Sequence, residues 1–442
     1  MGTIRTAVAL GLGWACAACG AYGSAPNGGG ATVEAASEAA YASGGEVASA
    51  DAVPAEAPSV HTGATPASST ATDSQIQQVL QEQEQPARAL LTAASVGDAD
   101  RRGPYLDFLT RHPWEARALD LDMARRTRIR VVDQHGRPVN DARVEIAGLG
   151  PNATGIHGRT HADGTWDYFP SVSHPGAFGR ASLTVTSGQN TVRAILDVPS
   201  QGDGQDLVVR LPGTTALAPS ALDLGFLIDV TGSMEDELRY VNAEIGEIVQ
   251  RIQATAPETR IRVGATFYRD RTDRVVVQQI PFSADVTGFA AAMQGVRASG
   301  GGDYPEDMNA GLEAALGRMA WTQGNAARVL VIISDAPPQR YADSQFTYHH
   351  AMALASENGI RILPVAASGA DRTVEYLFRA MGAFTSTPYV YLTDDSGLGN
   401  SHLEADTDRV GVEYFSDLLS RMIVSDLSGR GMHEPGTLGS ES

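Results

Sequence analysis

The chain has 442 residues, room for two or three domains, and 43% of them are hydrophobic, as in ordinary globular protein. Its net charge of −19 excludes the basic footprint of a nucleic-acid binder and is the wrong sign for docking on anionic lipid. Lysine is absent, so arginine supplies every cationic side chain, and the only cysteines, Cys16 and Cys19, leave the rest of the chain without disulfides or thiolate metal sites.

Residues 1–19 read as an export signal. Arg5 gives a positive start, and Thr6 to Ala18 is mostly apolar but shorter than the roughly 20 residues a spanning helix needs. Ala17-Ala18-Cys19 resembles a bacterial lipobox, whose cysteine becomes lipidated, and Trp14-Ala15-Cys16 offers a second candidate. The leucine usual three residues before that cysteine is replaced by Cys16 in the first and Gly13 in the second. Cleavage after a stretch such as Ala15-Cys16-Ala17 is the alternative. The expectation is an extracytoplasmic protein, lipid-anchored to the bacterial envelope through Cys19 or Cys16, or else secreted, with the lipid as its sole membrane contact.

Residues 20–73 are Ala, Gly, Ser, Pro and Thr with scattered acids, a composition that reads as a disordered tether. Residues 74–124 form a helical segment. Ile76, Val79, Leu80, Leu90 and Leu91 carry a helical rhythm broken at Pro86, and a second helix runs near Pro104 to Leu121 with Tyr105, Phe108 and Leu109 as an apolar patch. Residues 127–212 alternate as short strands separated by turns, including Asp163-Gly164, and predict a small all-β sandwich. The stretch "VVDQHGRPVNDARVEI" is similar to the opening of prealbumin-like and carboxypeptidase-regulatory-like sandwiches. Within it, Gly148-Leu-Gly150-Pro151 spells part of a dinucleotide fingerprint, but Pro151, Gly155 and Gly158 deny the required helix. His157 and His161 have the spacing of helix-borne metal ligands; Gly158 and Asp163-Gly164 make them two solvated loop histidines instead.

Residues 221–427 alternate strand and helix and predict a doubly wound, mostly parallel α/β domain. Leu224 to Ile228 and Val329 to Ile333 are continuous apolar strands buried on both faces. Pro364, inside a third strand, predicts a bulge or an early end. Residues 428–442 read as a flexible tail. Ligands of such sheets bind where strands end. There the sequence places Asp229-Val-Thr231-Gly-Ser233, then Gly300-Gly-Gly-Asp303-Tyr-Pro-Glu306, then Ser334-Asp335. Two carboxylates about 4 Å apart repel by roughly 4 kcal/mol at an effective dielectric near 20, a cost that a hard divalent ion removes. Carboxylates and hydroxyls suit Mg²⁺, with Mn²⁺ or Ca²⁺ as alternatives. The residues also have ordinary structural readings: Ser233 as a helix cap, Asp303 as a cap for a helix starting near Pro305.

"FLIDVTGSM" and "VLVIISDAPP" resemble the von Willebrand factor A domain, with its D-x-[S/T]-x-S signature and metal-loop aspartate. The run from Tyr268-Arg269-Asp270 through "GGGDYPEDMNAGLEAAL" is most similar to the A domains of some alpha-kinases. The resemblance implies a metal-ion-dependent adhesion site formed by Asp229, Thr231, Ser233 and Asp335, and binding of a protein ligand, in adhesive members through an acidic side chain. Those members usually supply a threonine where this chain has Asp303, with Ser299 the nearest upstream hydroxyl. A third carboxylate would weaken the pull on an acidic partner. Asp270 and Ser299 are candidates for the surrounding shell. The function expected is therefore metal-dependent binding or adhesion, with an envelope scaffold or sensor around a structural metal as the alternative. An enzyme is disfavoured: Thr231 stands where a haloacid-dehalogenase phosphatase has its second aspartate, His349 and His350 have no nucleophile, and no G-x-S-x-G elbow or P-loop occurs. No motif sets the oligomeric state.

Overall fold

In the computed structural model, residues 90–149, 155–302, 304–409 and 411–433 are described. The signal, Cys16, Cys19, the tether, the first part of the helical segment, Asp303 and residues 434–442 lie outside that set.

The chain enters on strand β1 (Thr92–Val96), followed by helices α1 (Arg102–Arg111) and α2 (Pro113–Leu119). The helical rhythm expected to run through residue 96 is thus overturned at its end. Ala93, Ala94 and Val96 are buried, and β1 pairs antiparallel with β14 (Tyr389–Leu392) and β15 (Glu413–Tyr414). Burial between two strands outweighs the weak local preference of a Thr-Ala-Ala-Ser-Val run.

Strands β2 (Thr127–Val132), β3 (Arg143–Ala147), β4 (Ile156–Arg159), β5 (Thr165–Tyr168), β6 (Gly179–Ser187), β7 (Asn190–Val198) and β8 (Leu207–Arg210) make two small sheets. Their orders are β5-β2-β8 and β4-β3-β6-β7. Inward residues of both, Ile129, Val131, Val144, Trp166, Leu183 and Val185 among them, share one core. Trp166 fills the space over Gly158, where an added methyl would sit 2.0 Å from the indole nitrogen. His157 lies on β4 and His161 is buried, so the pair are not two solvated loop residues; burial, with Arg361 nearby, pushes the His161 pKa down to about 3.

The remaining elements are β9 (Ala221–Asp229), helix α3 (Glu235–Thr255), β10 (Arg260–Tyr268), β11 (Val277–Ser283), α4 (Val286–Gln294), α5 (Met308–Gly317), β12 (Ala326–Ser334), α6 (Tyr348–Asn358), β13 (Ile360–Ala366), α7 (Arg372–Phe384), β14, β15 and α8 (Phe415–Leu427). They form an eight-stranded sheet of order β11-β10-β9-β12-β13-β14-β1-β15, with β10-β9-β12-β13-β14 parallel. Helices cover both faces. Leu227, Leu330 and Ile362 pack under α5, α6 and α7, while Phe226, Val331 and Leu363 pack under α3, α4 and α8. The bulge expected at Pro364 does not occur. The ladder to β12 runs unbroken through Ile332↔Pro364, and pairing with β14 starts only at Val365. The tail expected from residue 428 starts later: Met432 is buried in the core, and His433 hydrogen-bonds Asp100.

The two small sheets dock at the amino-terminal ends of the parallel strands. Asn140 bonds Asn325, Arg328 pairs with Asp141, Trp166 donates to Ser356, and Arg361 pairs with both Asp163 and Asp426. The acidic turns after β9 and β12 lie at the opposite, carboxyl-terminal ends. Among the described residues no helix is long and apolar enough to cross a membrane.

Candidate metal centre

The site grows from the turn after β9. Asp229 is the last residue of that buried strand, and its side chain folds the next residues around itself. Its Oδ1 accepts from the Thr231 amide at 2.9 Å and the Thr231 hydroxyl at 2.7 Å, and Thr231 Oγ1 lies 3.2 Å from Ser233 Oγ. On the other side, Tyr268 donates to Ser334 Oγ at 2.8 Å, and Ser334 Oγ donates to Asp229 Oδ2 at 3.2 Å. The carboxylate is thus fixed by Thr231 in the turn and by Ser334 on β12, itself held by Tyr268 on β10. The capping role considered for Ser233 is not adopted: α3 begins at Glu235 with no side-chain cap. Asp335 follows β12 directly and is buried, with Ser233 bonded to it and its Oδ1 lacking a partner.

The loop before α5 completes the cleft. The Gly232 amide donates to Gly300 O, and the Ser299 amide donates to Val230 O. Ser299 is exposed and joins the loop through its backbone. The cap of α5 is Asp307, which accepts from the Ala310 amide, so the helix starts at Met308 and not near Pro305. Asp303 lies outside the described residues. Asp270 is buried beside this loop, where Thr272 and Tyr341 donate to it; its pKa lies below the usual range because these bonds outweigh its desolvation.

Glu306 is the residue that spacing alone did not single out. Its amide donates to Pro337 O, and its carbonyl accepts from Gln339 N, strapping it to the loop after Asp335. It is 5% exposed and its Oε2 has no partner. A methyl group at Gly301 would sit 2.7 Å from Glu306 Oε1 and 3.1 Å from Thr231 Cβ, so this glycine lets the carboxylate and Thr231 face each other. Glu306 was legible as one more acid in the "GGGDYPED" run; nothing in the spacing told an inward carboxylate from a surface one.

The electrostatics agree. Burial, then Asp229, pushes Asp335 up to about 7. Burial, then Asp229, Asp270 and Asp335, pushes Glu306 up to about 8. Burial raises Asp229 too, against the hydrogen bonds from Thr231. Among the described residues no cation within 4.0 Å pairs with any of the three, and no three His, Cys, Asp or Glu side chains converge closely enough to hold an ion by themselves. Asp229, Asp335, Thr231 and Ser233 bring two carboxylates and two hydroxyls, all hard oxygens, to this end of the sheet.

A parallel α/β sheet with its polar cleft at the strand ends is the class this architecture defines. Within it, residues 223–398 match the von Willebrand factor A domain, and the chain contains such a domain. The chain is 27% identical over 177 residues to the alpha-protein kinase vwkA of Dictyostelium discoideum, covering 38% of this chain and 27% of that protein. It is 30% identical over 126 residues to an ariadne-like RING finger protein of Acanthamoeba polyphaga mimivirus, covering 28% and 12%. The chain therefore spans only a minor part of either relative. Solved structures that resemble it include the conserved hypothetical protein BatB from Bacteroides thetaiotaomicron, at 14% identity, TM-score 0.27 and coverage of 48% of this chain and 87% of that one. Proximal thread matrix protein 1 of the mussel byssus gives 14%, 0.29, and 38% and 40%.

Proposed function

We propose that the chain is a metal-dependent binding protein, with a divalent cation held by Asp229, Thr231, Ser233 and Asp335. The observation that carries this reading is a group of buried carboxylates, Asp229, Asp335 and Glu306, that no cationic side chain pairs among the described residues. Burying such a charge unpaired costs several kcal/mol, so the site calls for a proton or an ion. Oxygen-only donors favour Mg²⁺ over softer metals, with Mn²⁺ and Ca²⁺ as the alternatives. Asp303, which follows Gly302 in the sequence, is a further candidate ligand. When bound, the ion supplies a Lewis-acidic position for a partner's oxygen. The residues of this chain orient it: Asp229 by its hydrogen bonds, Ser334 and Tyr268 by holding Asp229.

Interaction is the common work of von Willebrand factor A domains, and we read this one as a binding module without catalytic activity. Export and lipid anchoring through Cys19 or Cys16 would place it in the bacterial envelope, on the Ala/Gly/Ser/Pro-rich tether. Calorimetry with Mg²⁺, Mn²⁺ and Ca²⁺ tests the site: saturable uptake by the wild type and none by Asp229→Ala is expected, and no uptake by the wild type refutes it. A pull-down from envelope extracts with and without EDTA tests the binding role. Partners retained in EDTA and by Asp229→Ala would leave the metal structural only, as in a scaffold or sensor.

A further inference from the structure

Resting on that reading, we infer that Glu306 lends a further negative charge to the bound cation from outside Asp229, Thr231, Ser233 and Asp335, so that the ion takes a neutral oxygen from a partner of basic surface and not a carboxylate. Three observations converge on this residue. Glu306 is 5% exposed, one of its oxygens has no partner, and its backbone is strapped to the loop that follows Asp335. Its other oxygen and the Thr231 side chain both border the space above Gly301, which places the carboxylate on the Thr231 side of the cleft. No arginine or histidine is paired with it among the described residues. A buried carboxylate so placed is stabilised by the field of a cation held by its neighbours.

The consequence is a matter of charge. Asp229 and Asp335 balance a divalent ion by themselves. Glu306 adds a further negative charge beside a rim that holds Asp270, Asp273 and Asp307, of which Arg271 offsets Asp307 alone. An incoming carboxylate meets a centre with excess negative charge and is repelled; a hydroxyl or amide oxygen, flanked by a partner's lysine or arginine, is not. The same positions thereby bind metal well and exclude an acidic anchor.

The test uses Mn²⁺ as the ion and acetate as the anionic probe, on the whole protein. Water-proton relaxation reports both bound Mn²⁺ and displacement of its water by acetate. For the wild type, acetate is expected to leave the relaxation of the complex unchanged. Glu306→Gln is expected to bind Mn²⁺ about 10- to 100-fold more weakly, as removal of such a supporting group does, and to admit acetate. Glu306→Asp keeps the charge and should behave as the wild type, which separates charge from packing if the glutamine variant folds poorly. Acetate entry into the wild type overturns the inference, as does a Glu306→Gln protein with wild-type Mn²⁺ affinity. Loss of Mn²⁺ in Asp229→Ala alongside either result sinks the role of Glu306 alone. Retention of Mn²⁺ by Asp229→Ala sinks the underlying site.

Discussion

At the amino-terminal ends of the parallel strands, buried carboxylates come with arginines. Arg361 lies 2.9 Å from both Asp163 and Asp426, Arg328 is paired with Asp141, and Arg128 makes two bonds to Asp167. Beside the start of β14, Arg379 clasps Asp98 at 2.6 and 2.8 Å. At the carboxyl-terminal ends of the same sheet, Asp229, Asp335 and Glu306 are as deeply buried and none is in an ion pair among the described residues. The pKa directions follow the company only in part, since burial raises Asp426 even beside Arg361. Asp167 is held below its usual range because Arg128 outweighs its desolvation, while burial drives Asp335 and Glu306 upward. In a chain without lysine, arginines neutralise the buried acids at the amino-terminal end, whereas at the other end Arg271 serves the rim acids Asp307 and Asp343, and none pairs with Asp229, Asp335 or Glu306 among the described residues. Burial alone is thus a poor marker of function; burial without a counter-charge is a better one.

The comparison breaks most sharply at Arg361. Arg361→Met should leave Asp163 and Asp426 facing each other in the interior without compensation and cost about 3–5 kcal/mol, the usual penalty for removing one partner of a buried pair. Denaturant unfolding would measure it. A loss under 1 kcal/mol would mean that this end is not held by its ion pairs. The variant's Mg²⁺ affinity, read in the folded baseline, should be unchanged, because Arg361 sits at the opposite end of β13 from the cleft.

Asp229→Asn reverses the expectation. In metal-free protein it removes a buried charge that has hydroxyl donors but no cation, so stability should hold or rise. What it should lose is the gain from metal, about 2.7 kcal/mol for the wild type at 100-fold Kd of Mg²⁺. Thermal unfolding with and without Mg²⁺ reads both. Equal Mg²⁺ responses in variant and wild type would refute the distinction between the two ends.

How much of this was legible beforehand depended on whether a signal was local. The run from Leu224 to Asp229 and that from Val329 to Asp335 announce buried strands ending in acids, and both lie where expected, with Asp229, Thr231, Ser233 and Asp335 drawn together. The sequence pattern also predicted the mixed α/β class. What failed was non-local. β1 is a strand because β14 and β15, some 300 residues away, accept it, and no periodicity in Thr92–Val96 records that. Met432 reads as tail but finds an apolar pocket. Helix α4, Val286–Gln294, is alanine-rich and has no clear polar face, so its sequence carries little helical periodicity. The status of Glu306 likewise depends on what surrounds it, since a glutamate before a helix is ordinarily a surface residue.

The smallest effect concerns a third arrangement, in which the counter-charge can titrate. His402 lies between Glu237 and Asp394, with Nε2 2.5 Å from Glu237 Oε1 and Nδ1 2.7 Å from Asp394 Oδ1. Glu237 stands in the first turn of α3, just past Ser233, and also accepts from the Ser368 amide. These two carboxylates outweigh the desolvation of the ring and raise the His402 pKa above its usual value. The imidazolium is therefore favoured by folding. Its stabilisation is full at pH below the ordinary histidine range and is lost as pH rises through the raised value. His402→Gln should cost on the order of 1 kcal/mol at pH 6 and much less at pH 9, since glutamine keeps the shape of the contact without the charge. Chemical unfolding at the two pH values decides it: a loss equal at both, or larger at pH 9, would show that His402 holds its loop as a neutral hydrogen-bonding ring and that arginine alone supplies the counter-charge in this protein.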